Sequence, residues 1–145
     1  MHFPRYQLWL LLGALFGCLA VALGAFGAHG LELTLKSNQS LSEGERAHAI
    51  AVWDTAAQYQ MYHALALLAI GLLAARRCGL AVNLAGTAMT LGTLIFSGCL
   101  YALVLSGNLS LGKIVPIGGT LLIVGWICLI VAVMRDGIPR PGSPS

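Results

Sequence analysis

Charge is what this sequence has least of. Lys, Arg, Asp and Glu together make up 9% of its 145 residues, against 58% apolar residues. A soluble domain of this size carries about 25% charged residues to keep its surface hydrated. The deficit excludes a soluble globular domain and leaves a single membrane domain, with lipid covering its outward faces. The net charge of +3 is small and scattered, with no basic cluster larger than Arg76–Arg77. No nucleic-acid partner is expected. Cysteine is sparse too. Cys18, Cys78, Cys99 and Cys128 form no CxxC pair and show no Cys/His ligand spacing, so neither a disulfide framework nor a zinc site is supported. Three of them lie in apolar runs, where Cys acts as a small hydrophobe. HExxH, GxSxG, a P-loop and paired intramembrane carboxylates are absent as well. No enzyme activity, catalytic residue, metal or cofactor is expected.

What the sequence does have is long charge-free runs. Leu8 to Ala28, Thr55 to Ala75, Leu80 to Gly112 and Ile114 to Met134 each hold at least 21 residues without a charge, and about 20 suffice to cross the hydrocarbon. The first is too long for the h-region of a signal peptide and reads as an uncleaved span. The expected fold is an all-α membrane protein of four transmembrane helices, with spans at about 6–29, 55–75, 81–106 and 114–134. These form one domain over 1–135. Pro116 belongs in the first turn of the last helix, where its missing N–H costs little. Residues 136–145 read as a disordered cytoplasmic tail, rich in Pro, Gly and Ser.

Basic residues orient the spans. Arg5, Arg76, Arg77, Arg135 and Arg140 fall on one side, and Lys36, Arg46 and Lys113 on the other. The excess places both termini in the cytoplasm of an inner-membrane protein. The first external loop contains a short helical segment. Ser42-Glu43-Gly44-Glu45 has the spacing of a capping box, serine at the N-cap and glutamate three residues on. The helix starting there either bends near Trp53 or runs straight into the second span. Tyr6, Trp9, Trp53, Tyr59 and Tyr62 suit interfacial aromatic belts, whereas Trp126 falls mid-span as bulk.

Small and polar residues have their own periodicity. Gly13, Gly17, Ala20, Gly24 and Gly27 recur at 4-3-4-3 spacing on one side of the first span. Such a groove lets another helix approach closely in lipid. Gly30 reads as the residue that ends this helix, which puts His29 in its last turn, near the negative end of the dipole. On the second span Trp53, Ala56, Gln60, His63, Leu67, Ile70 and Ala74 form a matching face. Gln60 and His63 should point into the bundle, because polar groups facing lipid are costly. On the third span Asn83, Thr87, Thr90, Ser97 and Tyr101 share a face, with Thr93 beside them. At ~1.5 Å per residue, His63 and Thr93 both lie about 20 Å above the inner boundary. The expected arrangement is a Gln60–His63–Thr93–Ser97 cluster in the outer half, flanked by Tyr59 and Tyr101. Asp54 and His29 meet at the outer boundary. A bis-histidine haem is disfavoured, since His29 and His63 differ in height by roughly 10 Å.

The strings "ALGAFGAHGL" at 22–31, "W-DTAAQYQMYHALALL" at 53–68, "FSGCLY" at 96–101 and "PIGGTLLIVGW" at 116–126 resemble a group of small bacterial membrane proteins. These are the domain-of-unknown-function 423 (UPF0382) family, to which transmembrane protein 256 of animals looks related. The resemblance spans nearly the whole chain apart from the tail, although the first loop is longer than expected of short members. It implies a multi-pass inner-membrane protein and supplies no catalytic residues. Two function classes follow. One is a non-catalytic protein that packs with itself or with a membrane-protein partner through its glycine faces. The other is a small channel, transporter or ligand-binding protein that uses the polar cluster.

Overall fold

The computed structural model describes residues 5–37, 41–76 and 79–136. The described residues are helical, without a strand. Helix α1 runs Arg5–Phe26, passes through a π-turn at Gly27–Leu31 and continues as α2, Glu32–Ser37. Helix α3 spans Glu43–Arg76, α4 Leu80–Ser106 and α5 Val115–Asp136, with a 3-10 turn at Leu109–Lys113 before α5. The expected tail beyond 136, Arg77 and Cys78 lie outside the described residues.

Gly30 does not end the first helix. Among the described residues only Gly107 has a positive φ, +67°, whereas Gly30 continues helical backbone into α2. The true stop signal is Gly107, which caps α4 with its N–H donated to the Leu103 carbonyl at 2.9 Å. The start of α3 forms the expected capping box. The Ser42 N–H and hydroxyl both donate to Glu45 Oε2, at 2.8 and 2.7 Å, and the Glu45 N–H approaches Ser42 Oγ at 3.3 Å. These bonds hold the Glu45 carboxyl below its ordinary pKa, the serine hydroxyl contributing most. From there α3 runs unbroken for 34 residues, so the loop segment and the second hydrophobic run are one helix.

The long helices pack in chain order as antiparallel neighbours, α1 on α3, α3 on α4 and α4 on α5. Alpha-3 is the most enclosed, and all seven residues of its seam, Trp53, Ala56, Gln60, His63, Leu67, Ile70 and Ala74, are buried. Two apolar clusters hold the ends. Trp9, Ala74, Val82 and Ala132 sit together at the end where α1 begins and α5 finishes. Leu31, Leu35 and Trp53 sit at the opposite, loop end, with Tyr101 and Val104 against them. Outward faces carry large aliphatics such as Leu11, Leu15, Leu94, Ile123 and Ile130. Among the described residues three helical stretches are long and apolar enough to cross a membrane: Arg5–Leu35, Leu80–Ser106 and Leu109–Arg135. Alpha-3 falls short of that measure. Its Gln58, Tyr59, Gln60, Tyr62 and His63 lower the mean hydropathy.

The glycine groove of α1 faces α3 within the same chain. A Cβ on Gly13 would lie 2.9 Å from the Ala64 carbonyl oxygen, and one on Gly27 would lie 2.5 Å from Trp53 Cδ1. At Gly17 and Gly24 the nearest atoms, the Cβ atoms of Ala64 and Ala57, are 3.8 and 4.0 Å away, which is ordinary contact. A second set of glycines seats α5. A Cβ at Gly118 would come within 2.5 Å of the Phe96 backbone nitrogen, and one at Gly125 within 2.7 Å of Met89.

Candidate functional site

The polar centre of the bundle grows from α3. Gln60 is 6% exposed and His63 5%, and a buried amide or imidazole needs partners. Gln60 finds one across the helix interface, donating from Nε2 to the Phe16 carbonyl oxygen of α1 at 2.9 Å. Tiny side chains at Gly13 and Gly17 bring the α1 backbone within its reach. His63 has both ring nitrogens engaged. Nδ1 lies 2.7 Å from the Tyr59 carbonyl oxygen and therefore carries the proton, leaving Nε2 to accept the Trp126 indole N–H at 3.2 Å. This pairing fixes one neutral tautomer. Tyr59 stacks on Phe96 at 4.7 Å and lies 6.1 Å from the imidazole.

On α4, Thr93 and Ser97 face the same interior, 3% and 1% exposed. The Thr93 hydroxyl donates to its own helix, to the Met89 carbonyl at 2.7 Å. The Ser97 hydroxyl is buried without a partner. The expected four residues thus share the core, but no hydrogen bond among the described residues joins any two of them. Each polar group that is paired is paired elsewhere. The α4 face also differs from the expected one. Thr93 lies on the buried face rather than beside it, while Thr87 is exposed and donates to Asn83 O.

At the loop end, Trp53 is 1% exposed and is no belt residue. Its indole N–H donates to the Leu23 carbonyl at 2.8 Å, and its ring packs between Phe26 and Tyr101, with centroids at 5.4 and 4.6 Å. The π-turn at Gly27–Leu31 starts beside this ring. Such turns release backbone from the regular ladder, and Gly27 supplies the space into which the indole fits. Trp9 is likewise buried at 6% and lies over Gly86, where a Cβ would come within 2.7 Å of the ring. Tyr59 and Tyr62 are exposed.

His29 and Asp54 do not meet. Both are exposed, and no ion pair or hydrogen bond joins them among the described residues. The end of α1 is held by the Trp53 indole instead, which puts Asp54 one residue past the contact. Two tryptophans differ from expectation. Trp53 lies on the expected face but is a buried clamp on Leu23 and not a belt residue. Trp126, expected as bulk, is the partner of His63. A tryptophan mid-span opposite a buried histidine is the signal that could have found it. Among the described residues no three of His, Cys, Asp and Glu converge as a metal site.

The family described as "Protein of unknown function (DUF423)" matches residues 23–119, from the glycine groove to the start of α5. A UPF0382 membrane protein of Staphylococcus aureus (strain bovine RF122 / ET3-1) is 45% identical over 129 residues, 89% of this chain and 97% of that one. A UPF0382 membrane protein of Staphylococcus epidermidis is 42% identical over the same coverage. The UPF0382 membrane protein YwdK of Bacillus subtilis is 40% identical over 130 residues, 89% of this chain and 98% of its own. No solved structure matches.

Proposed function

This chain belongs to the DUF423 family of membrane proteins, and from that premise we propose a four-span, non-catalytic inner-membrane component that associates with itself or with a larger membrane complex, both termini cytoplasmic. The fourth span is α3. It is 34 residues long, or roughly 50 Å at 1.5 Å per residue, and it lies between α1 and α4, both apolar enough to cross a bilayer. A helix packed along two spanning neighbours spans with them, and its polar residues are tolerated because they face protein.

One observation carries the non-catalytic reading: the Gln60 amide and the His63 imidazole, the polar centre of the interior, are engaged within the chain, Gln60 by Phe16 and His63 by Tyr59 and Trp126. With both ring nitrogens bonded, His63 positions helices and has no free hydrogen-bonding atom for a substrate. Because the α1 glycines face α3, association uses the outward aliphatic faces and not the glycine groove. Mild solubilisation of native membranes, followed by native gel electrophoresis and crosslinking mass spectrometry, tests this. The chain is expected in an assembly larger than one copy. Migration as a lone monomer, with no crosslinked neighbour, would refute the role. Maleimide labelling of single cysteines at 45, 113 and 135 in intact cells tests the topology. Positions 45 and 113 are expected to label from outside, and position 135 is not.

A further inference from the structure

The exposed hydroxyl and indole groups of α4 and α5 are satisfied by the chain itself. Thr87 and Thr120 each donate to the carbonyl four residues back, and Trp126 donates to His63. On α3 the exposed Thr55 follows the same habit, donating to Ala51. Gln58 and Tyr62 do not. Both are exposed, and neither the amide nor the phenol forms a hydrogen bond among the described residues. Counting ~1.5 Å per residue up from Arg76, Tyr62 lies roughly 20 Å above the inner boundary, inside an apolar core about 30 Å thick. Gln58 lies about one turn higher. Acyl chains offer neither group a partner, and polar groups at such depth turn towards protein or a wet cavity. Gln60 and His63 find that protein within the chain, whereas Gln58 and Tyr62 need it from outside.

Both belong to one uncovered face. Thr55, Gln58, Tyr62, Leu65, Ala69 and Leu72 recur at 3-4-3-4-3 spacing, and all six are exposed, on the side of α3 opposite its buried seam. The long helices packed on α3 are α1 and α4, while α5 packs on α4. This spacing is the seam that a parallel helix follows in a left-handed coil. Leu65 and Leu72 supply apolar contact, Ala69 permits close approach, and a lone polar position such as Gln58 fixes register. Copies of one chain in one membrane share an orientation, so a two-fold contact sets Gln58 opposite Gln58 and Tyr62 opposite Tyr62. An amide has both donors and an acceptor, and a hydroxyl has both as well, so each group is its own complement. Asp54 lies one turn above Gln58, outside the charge-free run, where water and salt screen its repulsion from a second copy.

We propose that the outward face of α3, from Thr55 to Leu72, is the contact between two copies of this chain, with the Gln58 amides and the Tyr62 hydroxyls paired across a two-fold axis. The proposal rests on the association reading above and narrows it to one partner and one outward face, aliphatic at Leu65 and Leu72 and polar beyond them.

The test places the photocrosslinking amino acid p-benzoyl-phenylalanine singly at Leu65 or Leu72 of the full chain in native membranes. Leu15, Leu94 and Ile127, comparably exposed on α1, α4 and α5, serve as controls. Light should join positions 65 and 72 to a second copy and the control positions to lipid. Cross-links from 65 and 72 to lipid alone, or to a different protein, overturn the proposal. Energy transfer between labelled copies in micelles supplies the second arm. Gln58→Leu combined with Tyr62→Phe should weaken self-association about ten-fold, two bonds at about three-fold each. The thermal midpoint of the dilute monomer should not move, since neither group bonds within its own chain. Unchanged association of the double variant overturns the polar pairing. The two readings fail separately. A lone monomer on native gels removes association itself, whereas copies joined through Leu94 or Ile127 in place of Leu65 overturn the α3 face alone.

Discussion

Replacing Gly27 by alanine should break the contact that holds the first helix to the third, although the same change three residues earlier should not. At Gly27 the new methyl would sit 2.5 Å from Trp53 Cδ1 and 2.9 Å from Nε1. The indole cannot yield, because it is 1% exposed, flanked by Phe26 and Tyr101 and tied to the Leu23 carbonyl at 2.8 Å. Either α1 lifts away or the indole leaves its bond. Overpacking of this kind costs about 1–3 kcal/mol, and losing the hydrogen bond about 0.5–1.5 kcal/mol more. Helix propensity returns about 0.5–1 kcal/mol for glycine to alanine, which leaves a net loss of about 0.5–4 kcal/mol. At Gly24 the Cβ would be 4.0 Å from the Ala57 methyl, so only the propensity acts and the variant should gain about 0.5–1 kcal/mol. Equilibrium unfolding in mixed micelles, followed by tryptophan fluorescence, measures both. Equal effects of Gly27→Ala and Gly24→Ala would refute the reasoning, since the clash at Trp53 is all that separates them.

Gln60→Leu removes the bond to Phe16 and should cost about 0.6 kcal/mol, the average for an interhelical bond in a membrane protein, and no more than about 1.7; the same unfolding assay reads it. Trp126→Phe and His63→Phe should each destabilise, and a double-mutant cycle should show coupling of about 0.6 kcal/mol. Additivity would mean that the indole–imidazole bond does not form. Acid should loosen the start of α3. The folded pKa of Glu45 is depressed, so its contribution is present above the ordinary carboxylate value and is lost as pH falls through the lower, folded value. Amide protection at residues 43–47, taken relative to the intrinsic exchange rate at each pH, should fall over that window in wild type and lose this dependence in Ser42→Ala. An identical pH profile in the serine variant would count against the capping box as its source.

Much of this molecule follows from local pattern. The absence of charge over long runs forces backbone groups to pair within helices, because lipid offers no hydrogen bonds. Residue type at helical spacing then sets which face turns inward. The α3 seam from Trp53 to Ala74 is legible on that ground, since lipid penalises an exposed Gln60 or His63. So is the capping box at Ser42, which needs no contact beyond its own turn. What the spacing leaves open is the identity of each partner. Gly13, Gly17, Gly24 and Gly27 are equivalent along the chain, yet only Gly13 and Gly27 meet atoms that forbid a methyl. That distinction depends on where α3 places Ala64 and Trp53. Gln60 could have bonded to α4 and instead reaches the α1 backbone. His63 could have faced a cavity and instead accepts from Trp126, which lies 63 residues away in sequence. Gly30 carried the residue type of a helix stop, but Trp53 holds the chain helical through a π-turn beside it. The inward face of the α3 seam was determined by sequence, because solvation acts on each residue separately, whereas on α4 packing turned Thr93 inward and left Thr87 exposed. Partnership was decided by the tertiary structure, because a hydrogen bond requires two helices at one height and one angle.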